Sequence, residues 1–194
     1  PVSMTLHLPT LLLALWVTSA VLAVAVLAVA WRGRVHQGLA LWGLGLVCNA
    51  VSYPVFGLRA LGWPDLSIVA TNALTALTLV FHVLAVRAFQ QGRAPVWSAA
   101  WVSGLALVNV ALAAAFLGND HWRNILASAT QGLLAACLLY QAVAPGLRGE
   151  RLTGRWVVMA GAALLVATMG VRTAFMVAQA DWSGVYKVPE PVQF

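Results

Sequence analysis

Six long apolar stretches constrain what this chain can fold into more than any other feature of its sequence. They are Leu11–Trp31, Gln37–Leu58, Leu66–Val86, Val96–Leu117, Asn124–Val143 and Trp156–Val177. A bilayer core about 30 Å thick is crossed by about 20 helical residues, and each stretch reaches that length. Only 8% of the residues are charged, about a third of the share in a typical soluble domain. The sequence therefore predicts an all-α, polytopic membrane protein.

The connections between these stretches are short, and each contains turn-forming residues, for example Gly33, Pro64 and Pro145. Neighbouring stretches joined in this way are expected to run antiparallel. We therefore expect a single domain over residues 1–194, built as an up-and-down bundle of six transmembrane helices.

Both ends of the chain differ in character from the bundle. Residues 1–3, which precede Met4, have the character of a tag remnant, and we exclude them from the fold. Residues 189–194 contain Pro189 and Pro191, and proline favours the first turn of a helix. We expect the start of a truncated seventh helix there.

The distribution of Lys and Arg predicts the orientation, because cytoplasmic loops carry an excess of these residues. Seven arginines flank the ends of the first, third and fifth stretches: Arg32, Arg34, Arg87, Arg93, Arg148, Arg151 and Arg155. Three basic residues flank the other ends: Arg59, Arg123 and Lys187. We therefore expect the N-terminus outside. Below, the end of the bundle with seven arginines is called the basic end, and the other the opposite end.

Charge also limits the classes of function. The net charge of +6 follows from membrane topology, so it does not indicate nucleic-acid binding. All acidic residues lie outside the apolar stretches: Asp65, Asp120, Glu150, Asp181 and Glu190. A membrane hydrolase or ion pump normally requires an acidic or metal-binding cluster within the bilayer. We therefore expect no catalysis by this segment and lipid as its main partner.

Six polar residues within the apolar stretches are the candidate ligand-binding residues. They are Tyr53, Asn72, Gln131 and Arg172 at one level in the half nearer the opposite end, with Asn49 and Asn109 somewhat deeper. Converging polar groups in an apolar bundle are what a small-molecule site requires. The alternative for each amide is an interhelical hydrogen bond.

Arg172 is the costliest of these groups, because an arginine at the centre of a membrane helix costs about 2.5–3.5 kcal/mol on insertion scales. One interpretation is that its side chain extends to the interface and pairs there with an acidic group such as Asp181. The other is that it faces the pocket and binds an anionic group of a ligand.

His82 lies within the third stretch, about one turn before Arg87. One interpretation is a histidine that is hydrogen-bonded within the bundle. The other is an axial haem ligand, because a neutral imidazole in an apolar helix suits haem iron. The second ligand would then be His36, or His82 of a second subunit.

Small residues recur every three or four positions in two stretches, and such seams predict close helix contacts in a membrane. They are Gly104, Val108, Ala111 and Ala115 in the fourth stretch, and Ala163, Ala167, Gly170, Ala174 and Ala178 in the sixth. Either seam could serve a contact within the bundle or a homodimer.

The segment Asn72–Pro95, NALTALTLVFHVLAVRAFQQGRAP, resembles the third span and exit loop of the N-terminal membrane modules of bacterial diguanylate cyclases. In those modules a small polar residue opens a Leu/Ala-rich helix, and an Arg–aromatic pair followed by Gly-Arg-x-Pro closes it. The matching residues are Arg87, Phe89, Gly92, Arg93 and Pro95. The resemblance implies a homodimeric sensory module of the bacterial inner membrane that controls cyclic-di-GMP synthesis by a GGDEF-type domain outside this segment.

The sequence thus favours a membrane-embedded sensory input domain that perceives a small-molecule or membrane signal and regulates a cytoplasmic output domain. A small transporter or carrier is one alternative. It predicts repeated halves with interrupted helices, whereas only Pro54 interrupts a stretch here. A haem- or tetrapyrrole-binding membrane protein is the other alternative, suggested by His82 and nine Trp residues.

Overall fold

The computed structural model describes residues 8–32, 37–91, 96–144 and 155–178, and all regular structure in these ranges is helical. The elements are α1 (Leu8–Arg32), α2 (Gln37–Gly57), a 3₁₀ turn (Leu58–Leu61), α3 (Pro64–Gln91), α4 (Val96–Ala115), α5 (Asp120–Val143) and α6 (Arg155–Ala178). The all-α prediction is confirmed over these ranges. Residues 1–3 and 189–194 lie outside the described residues.

Within the described residues, five helices are long and apolar enough to cross a membrane, namely α1, α2, α3, α5 and α6. Helix α4 ends at Ala115, and residues 116–118 form a turn where the sequence predicts continued helix. The described residues are therefore compatible with a multi-pass helical membrane protein. The count of six spans and the outward N-terminus stay predictions.

Contacts between side chains show the directions of the helices. Asn49 of α2 contacts Ser19 of α1, whereas Gly43, earlier in α2, faces Leu27, later in α1. These two helices are therefore antiparallel. In α4 and α5, the carbonyl of Leu117 accepts a bond from Arg123, while residues earlier in α4 contact residues later in α5. This pair is antiparallel as well.

Helix α3 forms the centre of the bundle, packing against α2, α4 and α5. Its core-facing side chains recur at three- and four-residue spacing: Ala76, Leu79, Val80, Val83 and Val86. They form one apolar cluster with residues of α4, α5 and α6, namely Val102, Ala106, Leu134, Leu138 and Ala162. Among the described helices, α1 is in close contact only with α2, and α6 only with α5.

Two glycines of α2 bring its backbone close to α3. A Cβ added at Gly38 would lie 3.0 Å from the Ala85 carbonyl, and one added at Gly45 would lie 3.2 Å from the Thr78 carbonyl. Gly38 and Gly45 are seven residues apart, so they lie on one face of α2. Small residues permit such an approach, and close packing is a main source of helix association in lipid.

The turn between α4 and α5 is closed by a buried arginine. Asn119 caps α5, since its side chain accepts a hydrogen bond from the Trp122 N–H at 3.2 Å. Arg123, only 8% exposed, donates to the Leu117 carbonyl at 2.8 Å and to the carboxylate of Asp120. This arginine therefore connects the end of α4 to the start of α5.

The small-residue seams predicted in the fourth and sixth stretches face away from the bundle. All of their residues are exposed, and a Cβ added at Gly104 or Gly170 would have no neighbour within 4 Å among the described atoms. Neither seam makes a helix contact within the described bundle. The glycines of α2 provide the close approach instead, and lipid can cover exposed small residues without an aqueous penalty.

The contact between α2 and α3 leads to a first prediction. We expect Gly45→Ala to lower the free energy of unfolding by about 1–3 kcal/mol, because its Cβ would lie 2.8 Å from the His82 ring as well as close to the Thr78 carbonyl. Thermal unfolding in lipid nanodiscs measures the change.

Gly161→Ala is the matched control, because it adds the same methyl group to open space on α6, outside the small-residue seams. We expect it to stabilise α6 by up to about 1 kcal/mol through helix propensity. Equal effects of the two substitutions would contradict a tight α2–α3 contact.

Candidate functional site

A layer of amide and hydroxyl side chains crosses the bundle where α3, α4 and α5 meet. It consists of Thr71 and Asn72 on α3, Asn109 on α4, and Thr130 and Gln131 on α5, and is called the polar layer below. The sequence predicts Asn72, Asn109 and Gln131 as site residues but misses the two threonines. Each of these threonines directly precedes one of the predicted amides in the sequence, and that pairing was the available signal.

Among the described residues, one hydrogen bond between side chains joins α3 and α5 in this layer. Gln131 donates from Nε2 to Oδ1 of Asn72 at 3.3 Å. Asn72 in turn donates from Nδ2 to the Ile68 carbonyl of its own helix at 2.9 Å, which fixes the orientation of the amide. Interhelical bonds of this kind contribute about 0.6 kcal/mol on average. Asn72 and Gln131 therefore form the interhelical hydrogen bond that was the alternative to a ligand site. Their role as ligand-binding residues stays a prediction.

The contact between α4 and α5 is more deeply buried. Asn109 is 0% exposed, and its Nδ2 donates to the Thr130 hydroxyl, with the Ala127 carbonyl a more distant acceptor at 3.5 Å. The Thr130 hydroxyl donates onward to the Leu126 carbonyl at 2.8 Å. Because Thr130 and Gln131 are consecutive, they point to different sides of α5, one towards α4 and the other towards α3.

Two oxygen atoms of the polar layer are buried without a hydrogen-bond partner. They are Oδ1 of Asn109 and Oγ1 of Thr71. A buried polar atom left unpaired costs about 1–3 kcal/mol, and native proteins contain few of them. The layer therefore has unused hydrogen-bonding capacity in its most buried part.

Two further predicted site residues, Asn49 and Tyr53, lie on α2. Asn49 donates from Nδ2 to the Ser19 hydroxyl of α1 at 3.0 Å, so its amide joins the two helices at the edge of the bundle. Tyr53 follows one turn later and is half-buried. Within the part of the chain that the structure describes, neither side chain is hydrogen-bonded to the polar layer.

Arg172 lies at about the level of the polar layer but on a helix that does not reach it. A Cβ added to Gly132 would lie 3.4 Å from Cβ of Met169, so Arg172, three residues later, is within one turn of Gln131 along the axis. However, α6 is in close contact with α5 alone among the described helices, and Arg172 is exposed. The structure thus separates Arg172 from the other candidates by the width of α5. Asp181, its expected partner, lies outside the described residues.

His82 packs in the contact between α2 and α3. Its imidazole stacks on Trp42, with ring centroids 4.2 Å apart and planes at 26°. Its Nε2 atom is buried without a hydrogen-bond partner and faces Gly45, where an added Cβ would lie 2.8 Å away. An iron atom could reach this nitrogen only by displacing α2. His36, the second expected haem ligand, lies outside the described residues.

A second polar contact joins α3 and α5 nearer the basic end. Gln90 donates from Nε2 to the Gln141 carbonyl at 2.6 Å, and both side chains are 8% exposed. The same helix pair is therefore joined at two levels, by Asn72 with Gln131 and by Gln90 with Gln141. The second pair was not predicted from the sequence, because glutamine near a helix end is usually solvated.

The geometry of Asn109 and Thr130 predicts an asymmetry between two substitutions. Thr130→Val removes the acceptor of a fully buried amide, so we expect it to lower the free energy of unfolding by about 1–3 kcal/mol. Asn109→Leu removes the unpaired oxygen together with the amide, so we expect it to be neutral or stabilising. Unfolding of both variants in one micelle system measures the difference, and an equal loss would contradict the bonding pattern.

The packing of His82 predicts the spectrum of the purified protein. Because Nε2 faces α2, we expect no Soret band after purification from cells supplied with a haem precursor. An absorbance scan measures this. A Soret band that His82→Phe abolishes would instead require an opened α2–α3 contact and support haem ligation.

No protein-family model matches the chain, and no curated protein or solved structure matches it either.

Proposed function

We propose that this chain is a membrane-embedded sensory input domain in which a signal changes the packing of α5 against α3. The polar layer carries the proposal: a 3.3 Å bond joins Gln131 to Asn72, and two oxygen atoms of the layer, Oδ1 of Asn109 and Oγ1 of Thr71, are buried without a partner among the described residues. A signal can shift an equilibrium only if it interacts differently with the two packings. Oδ1 of Asn109 and Oγ1 of Thr71 provide groups whose hydrogen bonding can differ between packings.

The route from the polar layer to the basic end follows one helix pair. Gln90 and Gln141 join α3 and α5 at a second level, so a shift of α5 at Gln131 would also change this contact. Among the described helices, α6 is in close contact with α5 alone and would move with it. The segments that follow α3 and α5 at the basic end are where an output would be driven.

The signal molecule that we propose is small, polar and uncharged. The polar layer offers amide and hydroxyl groups, and none of its members carries a charge. An anionic ligand would need a cation, and Arg172 lies across α5 from the layer. The hypothesis that Arg172 binds an anionic ligand group therefore does not extend to a ligand of the polar layer.

The nature of the output rests on the resemblance of Asn72–Pro95 to the membrane modules of bacterial diguanylate cyclases. We propose cyclic-di-GMP synthesis as the regulated activity, the bacterial inner membrane as the location, and a homodimer as the active form. The exposed small-residue seams of α4 and α6 support dimerisation, because such seams are typical of helix contacts in membranes.

The experiment compares two asparagines that each make one interhelical hydrogen bond. In the protein joined to its output domain, we expect Asn72→Ala to change cyclic-di-GMP output roughly threefold or more, as loss of a bond worth about 0.6–1.7 kcal/mol implies. Asn49→Ala is the matched control, because its bond to Ser19 lies between α1 and α2. We expect it to leave output unchanged.

Cellular cyclic-di-GMP, normalised to protein amount, is the measurement. Unchanged output in both variants would contradict a role of the polar layer in signalling. An equal change in both would show that output follows general bundle stability instead.

A further inference from the structure

Near the basic end, an arginine lies on the core-facing side of α3. Arg87 follows Val83, which is 0% exposed, by four residues and precedes Gln90, which is 8% exposed, by three. Residues at these spacings share one face of a helix. The Nε atom of Arg87 is buried without a hydrogen-bond partner. A charged donor left unpaired is costlier than a neutral one, so this position calls for an acceptor.

An unpaired acceptor lies in the same region of α5. Oε1 of Gln141 is buried without a hydrogen-bond partner, and its side chain is 8% exposed. Gln90 joins the two helices there, donating to the Gln141 carbonyl at 2.6 Å and reaching the Ala144 carbonyl at 3.5 Å. Because Gln90 is three residues from Arg87, the unpaired donor and the unpaired acceptor both lie within about one turn of this contact.

Charge at the basic end is strongly one-sided. Seven arginines adjoin it in the sequence, against one acidic residue, Glu150. Arginine clusters next to membrane helices attract anionic phospholipids, and basic pockets between helices bind their headgroups. A molecule that pairs with both unpaired atoms, Nε of Arg87 and Oε1 of Gln141, must present an anion to the first and a hydrogen-bond donor to the second.

We propose that the basic end of α3 and α5 binds the headgroup of an anionic phospholipid, with the phosphate at Arg87 and a headgroup hydroxyl at Gln141. A phosphate suits the Nε edge of a guanidinium, which forms two parallel bonds to such groups. A hydroxyl supplies the donor that an amide oxygen needs. The lipid is therefore a phosphodiester with a free hydroxyl in its headgroup, as in phosphatidylglycerol. This site does not depend on the sensory proposal.

Native mass spectrometry of the purified chain, with phosphatidylglycerol or phosphatidylcholine added, measures the apparent Kd for each lipid. We expect phosphatidylglycerol to bind at least tenfold more tightly, and Arg87→Gln to remove that preference. Arg32→Gln is the matched control, because Arg32 is an exposed arginine at the end of α1. One basic residue near an anionic surface changes affinity roughly fivefold, so we expect at most that effect.

Gln141→Leu tests the hydroxyl. We expect it to weaken phosphatidylglycerol binding and to leave unchanged the binding of phosphatidylmethanol, an anionic phosphodiester without a headgroup hydroxyl. If Arg87→Gln does not fold, as judged by unfolding in phosphatidylcholine nanodiscs, Arg87→Lys replaces it. Lysine keeps the charge but not the paired bonds, so we expect an intermediate loss.

Three outcomes would overturn the proposal. If Arg87→Gln and Arg32→Gln weaken phosphatidylglycerol binding equally, surface charge alone explains the binding. Equal affinity of the unchanged protein for the two lipids would show no anion site. Inorganic phosphate that displaces phosphatidylglycerol at equal concentration would place a free anion, not a lipid, at Arg87.

Discussion

The close contact between α2 and α3 is the interaction on which the rest of the bundle depends. In a membrane, an apolar side chain gains little free energy by moving from lipid into a contact between helices. Helices therefore associate mainly by close packing and interhelical hydrogen bonds. Gly38 and Gly45 allow the backbone of α2 to approach the Ala85 and Thr78 carbonyls of α3. Helix α3 packs against α2 through this contact and also packs against α4 and α5. It is therefore the centre of the bundle.

On that other side, polar contacts determine how α5 lies against α3. The bonds of Gln131 to Asn72 and of Gln90 to the Gln141 carbonyl join the two helices at two levels. The polar layer also holds the unpaired oxygens of Asn109 and Thr71, and Gln141 of the second contact has an unpaired side-chain oxygen. Interhelical bonds of this kind contribute about 0.6 kcal/mol each, whereas a buried polar atom left unpaired costs about 1–3 kcal/mol. The proposed sensory role requires a signal that interacts differently with two packings, and the unpaired atoms are groups with which it would interact.

Much of the helical architecture could be predicted from the sequence, because it follows from hydrophobic length and from turn residues between the stretches. The faces by which the helices contact each other could not be predicted, because small residues occur on several faces and lipid does not distinguish them. The seams of α4 and α6 have good spacing yet are exposed, whereas Gly38 and Gly45 make the contact. Asn72 and Gln131 could be placed at one level by counting residues along their helices. The separation of Arg172 could not be predicted, because the level of a residue along its helix does not reveal that α6, among the described helices, packs against α5 and not α3.

We propose that α3 and α5 act as one unit between the polar layer and the basic end. Hydrogen–deuterium exchange of the Asn72→Ala variant in nanodiscs tests this coupling, with Asn49→Ala compared under the same conditions. We expect faster exchange in peptides covering the end of α5 around Gln141 for the first variant and unchanged exchange there for the second. A change confined to the residues around position 72 would contradict the claim.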